Sequence, residues 1–259
     1  MALANLPAYL SEPNYYRIRY QLAASMLNAE SDSQPTKSDT WAQRESLVLQ
    51  VTATTMGVHG TDGPVEAARS LVDEALATLK LLDEADAVRR QRFLRFRRKA
   101  PPDETRFATF LRQTILPCAQ LVLAGALDVE VEPGAGLHNY ELVRESLDEK
   151  LTSYRAYYNS SCYLASSPAA DDWSARALSD LRISLRLAQG SERAQLASWA
   201  ERDPSLTNLR NAEETGFRDA VDLAASSLPD PDSATSNAAS SRQPRKRVPR
   251  PRRRPDAPA

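Results

Sequence analysis

The chain has 259 residues, 42% of them hydrophobic and 26% charged, and only 8 glycines. That is enough to bury a substantial core, and the abundance of Ala, Leu, Arg and Glu favours helices. The formal net charge of −1 conceals a division: residues 228–259 carry eight basic and three acidic side chains, leaving 25 basic against 31 acidic groups, a net of −6, in residues 1–227.

Apolar residues recur at helical three- and four-residue spacing almost throughout. The pattern predicts a first helix over Pro13–Ala29, N-capped by Ser11, with the stripe Tyr15, Ile18, Leu22 and Met26. A polar loop, Glu30–Ser38, leads to a second helix over Thr40–Met56, capped by Asp39 and stopped at Gly57. Gly57–Gly63 is the only glycine cluster. It lacks the Lys-Ser/Thr pair and preceding strand of a nucleotide loop, and reads as a helix connection. A third helix follows over Pro64–Ala87, burying Val65, Ala68, Val72, Leu76 and Leu79, with a pattern that extends toward Arg98.

Pro101-Pro102 ends that run, and Asp103 caps a fourth helix over Glu104–Leu127, expected to kink near Pro117. Its apolar stretch Ile115–Leu127 is interrupted by Pro117, Gln120 and Gly125 and is shorter than the ~20 apolar residues of a membrane span. Val129–Gly136 reads as a loop, then Leu137–Leu164 as one long fifth helix. Helices over Asp171–Ala188, Ser191–Arg202 and Pro204–Ser226 complete the body. No segment reads as a strand. After Leu228, seven prolines and a basic run leave little to bury, so the tail is expected to be disordered. The expected organisation is residues 1–136 (N-terminal hairpins and middle helices), 137–227 (a C-terminal helical unit) and the tail 228–259. The N-terminus lacks the basic flank and apolar run of a secretory signal, which points to the cytoplasm. Arg outnumbers Lys 28 to 5, a compositional sign of a GC-rich bacterial source.

One internal repeat stands out. Tyr16–Ala24 aligns without gaps on Tyr154–Cys162: Tyr16 over Tyr154, Arg17 over Arg155, Tyr20 over Tyr158, Gln21 over Asn159, then two small residues over two. A polar loop and a tryptophan-bearing helix (Trp41 or Trp173) follow each copy. Small residues in mid-helix admit a close partner helix, and aromatics one to two turns earlier fill the groove beside the crossing. Such hairpins cover their apolar faces by stacking.

The segment from Tyr154 to Ala220 resembles the closing unit of a bacterial tetratricopeptide (TPR) array. The matching residues are Tyr157-Tyr158-Asn159 with Cys162-Tyr163, then Ala177-Leu178 and Leu181, then Trp199–Leu206 with its Asp203-Pro204 turn, and Leu209-Arg210. Ser160 departs from the pattern where a leucine is expected, and the loop Ser166–Asp172 is longer than the usual turn. The resemblance implies an all-α stack of antiparallel helical hairpins, a TPR-like bundle or short solenoid, that binds a protein partner. In bacteria such modules accompany signalling or defence proteases and ATPases. On that reading the interface anchors are Tyr16, Arg17, Tyr20, Gln21, Arg155, Tyr158 and Asn159, because tyrosine and arginine are frequent interface anchors.

Catalytic and metal chemistry find little footing. The two histidines, His59 and His138, sit in a loop and at a helix start with no evident nucleophile beside them. Glu141, Glu145 and Glu149 line one helical face, which the neighbouring Arg144 and Lys150 mark as a solvated charged face. Cys118 and Cys162 stand alone in apolar stretches, as buried thiols do. No cofactor and no metal site is expected, and the function read from the residues is a non-enzymatic adaptor. Two alternatives remain. The first is binding of nucleic acid or another anionic surface through Arg89, Arg90, Arg92, Arg95, Arg97, Arg98 and Lys99, whose cations interleave with Phe93, Leu94 and Phe96, helped by the basic tail. The second is an enzyme with a dispersed active site, which requires a deep pocket holding His59 or His138 beside a second titratable group.

Overall fold

The structure, a computed structural model, describes residues 17, 20–25, 27, 45, 48, 50, 52, 64–93, 102–168 and 171–226, with side chains at 64, 65, 89–93, 102 and 103 excepted. Among these residues there are nine α-helices and no strand, so the chain is all-α. The isolated N-terminal positions are helical as well, and the tail 228–259 lies outside the described residues.

Helix α1 spans Pro64–Phe93, with Pro64 and Glu66 suited to its first turn. It is longer than the expected Pro64–Ala87 and carries Arg89, Arg90 and Arg92 on its last turn and a half. Its buried face is Ala67, Ala68, Leu71, Ala75, Leu79 and Leu82, whereas Leu76, expected inside, is 48% exposed. Alanine at three of these positions lets helix α3 approach closely. The core stripe is thus centred on the alanines, which a search for large apolar residues passes over.

Helix α2 (Pro102–Phe110), a π-helical turn (Leu111–Ile115) and α3 (Leu116–Glu130) form one continuous run. Pro117 cannot donate to the carbonyl four residues earlier, that of Gln113. Leu116 N–H reaches back five residues to Leu111 O, opening the turn. The released Gln113 carbonyl accepts instead from Ser153 N–H at 2.9 Å, which fastens the start of the next long helix. The expected kink is therefore a π bulge one turn before the proline, and it joins two elements.

By length and composition the 27 residues Glu104–Glu130, of hydropathy 1.3, could cross a membrane, alone among the described residues. This helix outruns the interrupted apolar stretch on which the sequence reading rested. Much of its apolar surface is covered by protein: Phe107, Leu111, Ile115, Ala119, Leu121 and Ala124 are fully buried, while Val129 near its end is exposed.

Residues 137–164, expected as one helix, form α4 (Leu137–Ser146) and α5 (Tyr154–Ser166). No glycine or proline marks the break. Local polar bonds make it: Asp148 Oδ1 accepts from Lys150 N–H, Thr152 Oγ1 accepts from Asp148 N–H, and Ser153 Oγ caps Arg155 N–H. Before α4, Asp128 Oδ1 accepts from both Gly134 and Gly136 N–H. At Gly136 a Cβ would lie 2.1 Å from the Ala124 carbonyl oxygen, so only glycine permits this approach.

Helix α6 (Trp173–Leu187) returns antiparallel along α5, and these two make the most extensive helix pair among the described residues. Then come α7 (Ser191–Arg202), a 3₁₀ turn (Pro204–Leu206), α8 (Thr207–Ala212) and α9 (Glu214–Ser226), which closes over α6 and α7. A single hydrophobic core runs from Leu27 and Val48 through Leu121 and Leu181 to Ala224, continuous across residues 136 and 137.

Candidate functional site

Helix α5 carries three of the seven expected anchors, and it is a central pillar. Ten consecutive residues, Ala156–Ala165, are buried. A helix covered on all sides belongs to the interior. Each anchor on it has an internal partner. The Arg155 guanidinium lies 2.6 Å from Glu45 Oε1, with only 11% and 6% of the two side chains exposed. It also reaches the Leu27 carbonyl at 3.4 Å. Burial, the largest single cause, pulls its pKa down, yet the facing Glu45 carboxylate with Cys118 and Tyr154 together turn the net shift upward. Tyr158 OH donates to Asp203 Oδ2 at 2.9 Å, and Asn159 is 2% exposed beside Cys118. These three side chains hold the interior together and do not face an external partner.

The N-terminal copy sits differently. Arg17 and Gln21 are exposed, and Tyr20 is half-buried with its ring edge-on to Phe110 at 5.4 Å. Tyr16, Arg95, Arg97, Arg98 and Lys99 lie outside the described residues, as does His59. Arg89, Arg90 and Arg92 are on α1 with undescribed side chains. His138 is exposed at the start of α4.

Two polar clusters hold α5 in place. In the first, Asp180 on α6 is fully buried; it accepts from Ser160 Oγ at 2.6 Å and pairs with Arg144 at 2.6 Å. Arg144 is one-third exposed, so water dilutes its attraction, and burial pushes the Asp180 carboxyl above its ordinary value. In the second, Asp203 starts the 3₁₀ turn by accepting Ser205 N–H at 2.9 Å, while its other oxygen takes the Tyr158 hydroxyl. Its backbone carbonyl accepts from Arg210 at 2.9 Å, and Asn208 Nδ2 donates to Ala165 O at 2.9 Å. The Asp-Pro turn is thereby bolted to α5.

The acidic row Glu141, Glu145 and Glu149 is exposed, as expected of a solvated charged face, and two of its members also pair with α6. Glu141 pairs with Arg176 at 3.1 Å, Arg144 with Asp180, and Glu149 with Arg186, a ladder running in the same direction along both elements. Arg176 also lies over the Tyr140 ring at 5.2 Å, and Tyr140 stacks on Tyr163 at 5.2 Å.

The thiol and phenols of this interior are poor nucleophiles. Burial, followed by the Glu45 carboxylate, raises the Cys118 thiol far above its usual range. Burial and then Asp128 raise Tyr163, while burial and Glu149 push Tyr157 up to about 12. Cys118 and Cys162 are both free and buried. Among the described residues no group of three His, Cys, Asp or Glu is placed to hold a metal ion.

The surface opens beside α9. A groove of about 510 Å³ lies between α6 and α9, floored by Leu185, Ala220 and Ala224 and rimmed by arginines, with Leu223 70% exposed at its edge. A second groove on the other flank of α9 is more polar, lined by Glu201, Arg210, Glu214, Phe217 and Asp222. Arg210 there already stacks over Phe217 at 5.9 Å. Neither groove contains an expected interface anchor, although Glu201 and Arg210 in the second belong to the stretch that carries the TPR resemblance. The signal that points to them is the small-residue pair Ala220/Ala224 beside Leu223, on a helix that also carries Glu214, Arg218, Asp219 and Asp222. No protein-family model, curated protein or solved structure matches the chain.

Proposed function

We propose that the chain is a non-enzymatic helical adaptor that holds a protein partner, with α5–α6 and the Asp203–Leu206 turn forming the closing unit of a TPR-like stack. The observation that carries this reading is the open apolar groove between α6 and α9, with Leu223 70% exposed at its rim. An exposed leucine alone is unremarkable, but one beside a concave apolar floor is the form that recognition surfaces take. In support, Arg155, Tyr158 and Ser160 of α5 are tied to Glu45, Asp203 and Asp180 on surrounding segments, which makes it a rigid pillar for presenting a surface. The partner contacts in this reading lie outside α5, on the faces of the outer helices.

Photo-crosslinking residues placed singly at Leu81, Val88, Leu142 and Leu223, all exposed, test it in cells of the source organism. The expected result is one defined protein joined at one or more of these positions and identified by mass spectrometry. Crosslinks to nucleic acid or lipid, or none to protein at any position, defeat the reading.

A further inference from the structure

Helices α6 and α9 present matched rows of residues across the groove. Arg182 and Arg186 are one helical turn apart on α6, and Ala220 and Ala224 are one turn apart on α9. Arg193, at the start of α7, donates through Nε to the Ala188 carbonyl at 2.9 Å, which fixes a third cation at the groove's end. Against these arginines the lining holds a single acid, Asp219, and outside the lining Glu149 shares Arg186 in an exposed pair that a docking carboxylate has to displace. This positive rim stands on a body of net charge −6 over residues 1–227. A cationic local field on an acidic body selects strongly by charge.

We infer that the groove receives an acidic amphipathic helix of a partner protein. The partner's apolar stripe rests on Leu185, Ala220, Leu223 and Ala224, and its carboxylates lie along Arg182, Arg186 and Arg193. Three features fit this occupant. The small side chains of Ala220 and Ala224 let a third helix approach the floor, as ridge-into-groove packing requires. Leu223, projecting at the rim, provides an apolar knob that a helix covers on docking. Guanidinium groups form paired bonds with carboxylates and keep their charge at any physiological pH. This inference rests on the adaptor reading and gives its partner a chemistry.

The test uses the full chain and a fluorescein-labelled synthetic peptide of about four helical turns, with leucines on one face and glutamates elsewhere. A version with every glutamate replaced by lysine is the control, and binding is read by fluorescence anisotropy. Because the basic tail also attracts acid, a full-length variant with Arg250, Arg252, Arg253 and Arg254→Gln is included. The expected result is saturable binding of the acidic peptide only, retained by the tail variant. The pair Arg182→Glu with Arg186→Glu, and Leu223→Asp separately, should each weaken it about tenfold or more. The conservative pair Arg182→Lys with Arg186→Lys should keep most of it. Arg182, Arg186 and Leu223 are exposed, and circular dichroism verifies that each variant folds.

Binding that disappears with the tail charges and ignores the groove variants overturns the inference. So does equal binding of both peptides, or no saturable binding at all. The adaptor reading is judged separately: a protein crosslinked at Leu81, Val88 or Leu142 but not at Leu223 keeps that reading and removes the groove.

Discussion

Arg155 and Arg17 occupy matching places in two stretches of similar sequence, yet one guanidinium is buried against Glu45 and the other lies in water. The contrast continues down both helices. Tyr158 is hydrogen-bonded in the interior, whereas Tyr20 packs at the edge of Phe110. Asn159 is 2% exposed and Gln21 is exposed. Ser160 bonds a buried aspartate where Leu22 is half-buried. Among the described positions, Ala23 and Ser161 are alike, both buried. The local pattern thus specifies a helix and a close-packed small residue in both copies. What surrounds the rest of each helix is decided by the segments that pack on it from far along the chain.

The contrast is sharpest at the arginines. Arg155→Ala leaves Glu45 buried without its cation, so we expect a loss of about 3–5 kcal/mol. Arg17→Ala removes an exposed side chain and should change stability by no more than about 0.5 kcal/mol. Urea unfolding of both variants measures the difference. Similar losses at the two positions would mean that the copies have equivalent surroundings after all.

Much of the fold could be read from periodicity, because each helix that lies at the surface shows it a polar face. The segments α6 and α7 have nearly the expected bounds for this reason. The break between α4 and α5 went unseen because Asp148, Thr152 and Ser153 stop helices through hydrogen bonds that these same residues do not make mid-helix. The interior partners of Arg155, Tyr158 and Asn159 on α5 are hidden from the sequence for a related reason. Tyrosine, arginine and asparagine are common both at interfaces and in satisfied polar interiors, and only the partners decide. Glu45 is 110 residues from Arg155, and Asp203 is 45 from Tyr158, separations over which sequence carries no pairing signal. The groove beside α9 escaped notice because alanines and a lone exposed leucine become a surface only when α6 and α7 are set beside them.

Ser160 carries the second test of the comparison. It stands where the repeat pattern expects leucine, and the structure shows why a hydroxyl is tolerated: Asp180 on the facing helix receives it. Ser160→Ala should cost about 1.5–3 kcal/mol, the range for a hydrogen bond to a charged group. Leu22→Ala, at the matching half-buried place, should act only through lost packing and show no coupling to Asp180. A double-mutant cycle of Ser160→Ala with Asp180→Asn measures that coupling, and additivity would remove Ser160 from the cluster. A smaller loss, about 1 kcal/mol, is expected for Tyr158→Phe, because Asp203 keeps the Ser205 N–H on its other oxygen.

The smallest expected effect is one of pH, and it separates burial from ion pairing at Asp180. Burial raises the folded carboxyl above its ordinary 3.8, so over the window from 3.8 up to the raised value the folded state holds more proton than the unfolded state. Stability contributed through Asp180 therefore falls as pH rises through that window and is flat below it, where both states are protonated. Asp180→Asn removes this titration. The stability gap between the natural chain and the asparagine variant should narrow as pH climbs from about 4, and it should be indifferent to salt, because the group is fully buried. Denaturant unfolding of the two proteins across this pH range measures the gap, and each serves as the other's control for the remaining carboxylates. A gap that widens with pH would show that Arg144 overcomes the desolvation. The bond between α5 and α6 would then be an ion pair, and the interior around Ser160 would resemble the Arg155–Glu45 contact more closely than its own neighbouring hydroxyls suggest.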